Sequence, residues 1–167
     1  MDGKMDKIVA IILIILVIMV GAMIYLVEST SHEEETTIIS IQDLASKLKD
    51  EGEFDDLLET TSKEIILQEY ELEENMIQDL VTYQGSGASA EEILIIEAKN
   101  SQNVSDIKTQ IEKHLLEKEE AYANYLPDEV KKIQDKVLKI DNNYVILCIS
   151  KNSDKIKEII KEYMQGR

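Results

Sequence analysis

A single cysteine, Cys148, gives the chain no partner for an internal disulfide, so no covalent framework staples it together. It lies in the strand-like run YVILCIS, where a buried, inert thiol is expected. Its distance from the N-terminus also excludes a lipid-modified cysteine as the route to a membrane. The two histidines, His32 and His114, have no second histidine or cysteine at metal-ligand spacing, so no zinc site is expected. His32 falls in a polar stretch, and His114 reads as solvated or at the edge of a core.

Catalytic and cofactor motifs are missing as well. The glutamates at 33, 34 and 35, at 91 and 92, and at 117, 119 and 120 lack the alternating oxygen ligands and turn glycine of a calcium loop. Taken from sequence, these runs are solvated faces. No serine stands in a G-x-S-x-G elbow, and Gly85-Ser86-Gly87 is too short to cradle a phosphate. No catalytic, cofactor-binding or metal-ligating residue is assigned, and no cofactor is expected.

Basic residues are scarce. There are 18 lysines and arginines against 34 acids, for a formal net charge of −16. Nucleic-acid binding needs clustered lysine and arginine and is excluded on that ground. A flat seat on an anionic leaflet is disfavoured too, because the acids repel it.

What the chain does hold is one long apolar run, residues 8–27, IVAIILIILVIMVGAMIYLV. Twenty uncharged residues at about 1.5 Å rise make a helix of about 30 Å, the hydrocarbon thickness of a bilayer. The expectation is a membrane-spanning anchor. Val20-Gly21-Ala22 offers small residues for signal cleavage, but the apolar run continues to Val27, as an anchor does. Lys4 and Lys7 precede the run, and no basic residue follows it before Lys47. Basic flanks stay inside, so residues 1–7 are expected in the cytoplasm and the rest of the chain outside.

Residues 28–38 are polar and acidic and read as a short tether. Residues 39–167 are the size of one domain. Residues 39–49 place Ile41, Leu44, Ala45 and Leu48 on one helical face, with Ser40 as cap and Gly52 as stop. A second helix is expected over residues 62–70, with Ile65 and Ile66 partly buried. The stretch 51–61 stays undecided between helix and strand.

Residues 76–84 alternate weakly as a strand. Ile93 to Ile96 form a β-branched run suited to a central strand buried on both faces. The intervening Gly85-Ser86-Gly87 favours an antiparallel pair. Asn103 is placed to cap a long helix with Val104, Ile107, Ile111, Leu115 and Tyr122 on its inner stripe. Lysines and glutamates from 108 to 119 line its wet side. The one proline, Pro127, suits the first turn of a further short helix. Residues 136–140 and 144–150 flank Asp141-Asn142-Asn143, a hairpin signal. Ser153 is placed to cap a last helix with Ile156, Ile159, Ile160 and Tyr163 facing inward. The sum is an α+β domain whose antiparallel sheet carries its helices on one face.

Several of these segments together resemble a known family. They are the lead-in Ala88-Ser89-Ala90-Glu91-Glu92 to ILIIEAK, the helix VSDIKTQIEKHLLEKEEAYANY, the join YLPDE, and the hairpin VLKIDNNYVILCIS with its terminal helix. Residues 76–164 resemble the domain of unknown function numbered four-three-five-eight, found in membrane-anchored proteins and lipoproteins of Firmicutes. The preceding SKEIILQEYEL is similar to the family's upstream helix more loosely. The resemblance implies a place outside the membrane and a class of domain. It brings no activity with it.

The function expected is a non-enzymatic interaction module of a bacterial envelope, held by the bilayer through residues 8–27 and meeting an envelope protein. An envelope hydrolase or a small-ligand-binding module is the alternative. Tyr122, Tyr125 and Leu126, at the helix junction, are the candidate partner contact; closing the core is their other reading.

Overall fold

The computed structural model describes residues 13, 15–22 and 40–165. The chain divides into two units, Met1–Thr36 and Thr37–Arg167. Of the expected anchor, only Leu13 and residues 15–22 are described, and they are helical. The expected cytoplasmic N-terminus, the tether 28–38 and the rest of 8–27 lie outside the described residues. Among the described residues no helix is long and apolar enough to cross a membrane.

The second unit is α+β, built on one antiparallel five-stranded sheet. Its helices are α1 (Ile41–Glu51), α2 (Lys63–Glu69), α3 (Ser101–Ala123), α4 (Pro127–Gln134) and α5 (Ser153–Gln165). Its strands are β1 (Glu59–Thr60), β2 (Ile77–Gln84), β3 (Glu92–Ala98), β4 (Val137–Asp141) and β5 (Tyr144–Ile149), in the order β1-β2-β3-β5-β4. Two sequential hairpins, β2–β3 and β4–β5, are joined edge to edge where β3 pairs β5.

The central pair decides the layers. Side chains alternate along a strand, so an apolar residue at every position requires cover on both sides. In β3, Leu94 and Ile96 join Val145, Leu147 and Ile149 of β5 beneath α2, α3 and α4. Ile93 and Ile95 join Ile146 and Cys148 beneath α1 and α5. Helices therefore pack on both faces, not on one as the sequence suggested. The reason is in the strands: ILII and VILCI cannot leave either face wet. Each fully buried isoleucine or leucine contributes about 1.5–3 kcal/mol.

Local signals place the helices, with shifts of a few residues. Ser40 Oγ accepts from Asp43 N at 3.2 Å, and Gly52 ends α1. Asn100, not Asn103, caps α3, accepting from Asn103 N at 3.0 Å. Asn152, not Ser153, caps α5, accepting from Lys155 N at 3.1 Å. In each pair an asparagine one to three positions earlier, of equal cap propensity, took the role. Ile65 is 55% exposed while Ile66 is fully buried, because a seven-residue helix turns only one of the two inward.

Helix α2 ends on a Schellman turn. Glu71 adopts φ 51°, Leu72 N donates to Leu67 O at 2.8 Å, and Glu71 N donates to Gln68 O at 3.4 Å. This turn sets Tyr70, which is 1% exposed, beneath the sheet. The undecided stretch 51–61 is mostly irregular, with bends at 52, 55 and 56, β1 near its end and Leu58 buried. At the far hairpin Asn142 takes φ 49°, the turn conformation that asparagine tolerates.

Candidate functional site

Two adjacent glutamates lead into β3, and both are buried: Glu91 is 1% exposed and Glu92 is fully buried. This overturns their reading as a solvated face. Hydropathy could not reveal it, since each is covered by groups distant in sequence.

Glu92 lies under α2 and α3. Its Oε2 accepts from Lys118 Nζ at 2.7 Å, and its Oε1 accepts from the Tyr70 hydroxyl. Gln84 Nε2 is 3.4 Å from the same Oε1 and donates to Glu69 Oε2 at 3.0 Å. Gln84 Oε1 in turn accepts from Thr61 Oγ1 at 2.7 Å. Lys118, expected on the wet side of α3, instead turns inward and its side chain is only 12% exposed. Burial, the largest single influence, lowers its affinity for a proton, but the charge and hydrogen bond of Glu92, with the charges of Glu69 and Tyr122, together raise the lysine above its ordinary pKa. Burial, then the same carboxylate's charge, holds the Tyr70 phenol protonated well above its usual range.

His114 sits one turn before Lys118. Its ring centroid is 4.2 Å from that of Tyr70, tilted by 43°. Its Nε2 lies 3.4 Å from Glu69 Oε1, within ion-pair reach, but makes no hydrogen bond there. The edge-of-core position is the one observed.

Glu91 meets a different set of groups. Its Oε2 accepts from the backbone N–H of Asp55 and Asp56 at 2.8 and 2.9 Å, while Oε1 faces Lys132 Nζ at 3.0 Å. Lys132 also reaches Asp55 at 3.0 Å and Glu129 at 2.9 Å, so three carboxylates converge on one ammonium. Burial opposes its charge, yet bonds to Glu129, Asp55 and Glu91 raise its pKa. Lys132 and Lys151 hold the Asp55 carboxyl below the usual carboxylate range. Ser86, through hydroxyl and N–H, does the same for Asp56. Glu129 also accepts from Ala90 N at 2.8 Å. The bend at Asp55 and Asp56 is thus fastened to the head of β3 and to α4 by charge.

In chemical terms the two buried carboxylates are met by a tyrosine and two lysines, the materials of acid–base work. Their oxygens are taken up by internal donors. Among the described residues, hollows of 640, 400 and 360 Å³ mark the surface, and neither buried glutamate, Tyr70 nor Lys118 lines any of these. Among the described residues no group of His, Cys, Asp and Glu could hold a metal ion.

The residues singled out for partner contact part company. Tyr122 is half-buried and its hydroxyl donates to Ser89 O at 2.9 Å. Leu126 is half-buried at the N-cap of α4. Tyr125 is 82% exposed. Cys148 is 1% exposed, and burial pushes its thiol pKa up.

Residues 50–150 match the family described as Domain of unknown function (DUF4358). The matched span starts ahead of the region expected from sequence and stops before α5. It contains both buried glutamates and every residue named around them except Lys151. No curated protein and no solved structure matches the chain. The match takes in more than half of the sequence, and the chain belongs to the DUF4358 family of domains of unknown function.

Proposed function

We propose that the chain is a single-pass membrane protein whose DUF4358 domain stands outside a bacterial cell and works by protein contact rather than catalysis. The observation that carries this reading is the uncharged apolar run of residues 8–27, with basic residues ahead of it and 32 acids against 16 bases behind. The bilayer is then one partner and an envelope protein the other. The internal pairing of Glu91 and Glu92 supports a structural role for the buried charges: they lock a loop and two helices to the sheet and leave binding to the surface. Tyr125 is the most exposed aromatic of the domain and, beside Tyr122 and Leu126, offers one such contact.

A photo-cross-linking side chain in place of Tyr125, activated in intact membranes, tests the contact. The expected result is a discrete adduct with an envelope protein. Its absence there and at other exposed positions, together with turnover of an envelope substrate by the purified chain, overturns the reading.

A further inference from the structure

Residues 53–57 run between two fixed points. Gly52 N donates to Leu48 O at 2.9 Å where α1 ends, and Leu58 is buried just before β1. The five residues between them belong to no helix or strand. Of their side chains Phe54 packs half-buried against the core, while Leu57 is 74% exposed. Their one main-chain tie among the described residues is Lys151 N, which donates to Glu53 O at 3.2 Å. With so little apolar surface buried, charge is left to hold the segment down. Its contacts form an inner and an outer set. Inside, Glu91 Oε2 takes the N–H groups of Asp55 and Asp56 at 2.8 and 2.9 Å, from a carboxylate with no exposed surface. Outside, Asp55 meets Lys151 at 3.0 Å with both side chains half-exposed. Asp56 Oδ2 accepts there from Ser86 N and Oγ at 2.7 and 2.6 Å.

Parting these contacts leaves no buried charge alone. Lys132 gives up Asp55 but keeps Glu91 at 3.0 Å and Glu129 at 2.9 Å, neither of which belongs to the segment. Asp55, Asp56 and the released N–H groups pass to water. We propose that residues 55–57 are a strap that charge holds shut and that opens by itself while the sheet stays folded. Opening removes the Asp56 and Leu57 wall of the 400 Å³ hollow and bares the Glu91 carboxylate. Salt sets how often the strap opens, because it screens the half-exposed outer pair far more than the dry inner contacts. The device does not depend on the contact at Tyr125.

The test follows amide hydrogen exchange of the full chain in detergent, at low salt and at about 1 M sodium chloride. The N–H groups of Asp55 and Asp56 are expected to exchange through an opening that leaves β3 protected, and to do so about fivefold faster at high salt. Lys151→Met is expected to speed them to a similar degree at low salt and to remove most of the salt effect. Labelling with a water-soluble carbodiimide and an amine then shows whether the opening bares Glu91. Amidation of Glu91, measured against exposed Glu59 in the same chain, is expected to rise with salt, while Glu92 stays unlabelled. Should Lys151→Met fail to fold, the salt series and the labelling of the unmodified chain decide alone. Exchange of Asp55 and Asp56 only together with β3, exchange indifferent to salt, a folded Lys151→Met chain that exchanges as the unmodified one does, or equal protection of Glu91 and Glu92 overturns the strap.

Discussion

Lys118 Nζ lies 2.7 Å from Glu92 Oε2, a carboxylate with no exposed surface, so the domain buries a complete ion pair between its longest helix and its central strand. Such a pair adds little net stability over an apolar pair of the same size. Breaking it is another matter, because one charge is then left in a dry site. Lys118→Met is expected to destabilise the domain by about 3–5 kcal/mol. Adding Glu92→Gln to that variant is expected to recover much of the loss. Urea unfolding of the single and double variants measures the coupling. Additive losses would show that the two groups do not depend on each other.

The same cluster sets an alkaline limit. Tyr70 holds its proton above the usual tyrosine range in the folded chain, and Lys118 holds its own above the usual lysine range. Above about pH 10 the unfolded chain releases both protons while the folded chain retains them. The unfolded state then binds fewer protons, so stability falls as pH rises through that window. Tyr70→Phe removes one of these contributions but also leaves Glu92 short of a donor, at about 1–3 kcal/mol near neutrality. Its stability curve is therefore expected to be lower at pH 7 and flatter above pH 10. A curve parallel to that of the unmodified chain would contradict the assignment.

Glu71 sits at φ 51° where helix α2 turns into the loop, a conformation that costs a non-glycine residue about 1 kcal/mol. Among the described residues its carboxylate pairs with exposed Lys113 alone. Glu71→Gly is expected to stabilise the domain by up to about 1 kcal/mol, read as a higher urea midpoint. A clear loss would mean that the surface pair outweighs the backbone strain.

Gly52 is required for space rather than for its dihedral angles. A Cβ there would lie 2.4 Å from Leu48 O and 2.6 Å from Phe54 Cε2. Backbone cannot yield as a side chain does, so Gly52→Ala is expected to cost about 1–3 kcal/mol. Calorimetric melting of the variant checks it.

How far the fold could be read in advance follows from where its signals lie. Leu44 and Leu48 on α1, Ile107 and Ile111 on α3, and the run ILII of β3 carry periodicity within their own segments, and their elements were legible. Glu91 and Glu92 were not. Their burial depends on Lys132, on Lys118 and on the backbone of Asp55 and Asp56, partners 26 to 41 positions away. Charged residues read as solvent-facing by composition until the fold assembles their counter-ions. The one signal was local: two glutamates at the head of a strand buried at all but one position, too close to its core to stay wet. Helices on both faces were not legible in advance: the run ILII reads as buried on both sides, yet only one layer of helices was expected, because each helical stripe shows that it is covered and not which face of the sheet covers it. Lys118 misled for the converse reason, standing at pairing distance from other charges along α3 yet turned inward.

The arrangement proposed for the whole chain, an apolar segment in the bilayer and an acidic domain beyond it, meets its most direct test in protease protection. A tag at the C-terminus is followed in intact cells and in lysed cells after carbonate extraction of the membranes. The expected result is a chain that stays with the membrane fraction and whose tag is removed by protease added outside intact cells. A tag protected until lysis, or a chain recovered in the soluble fraction, would contradict it.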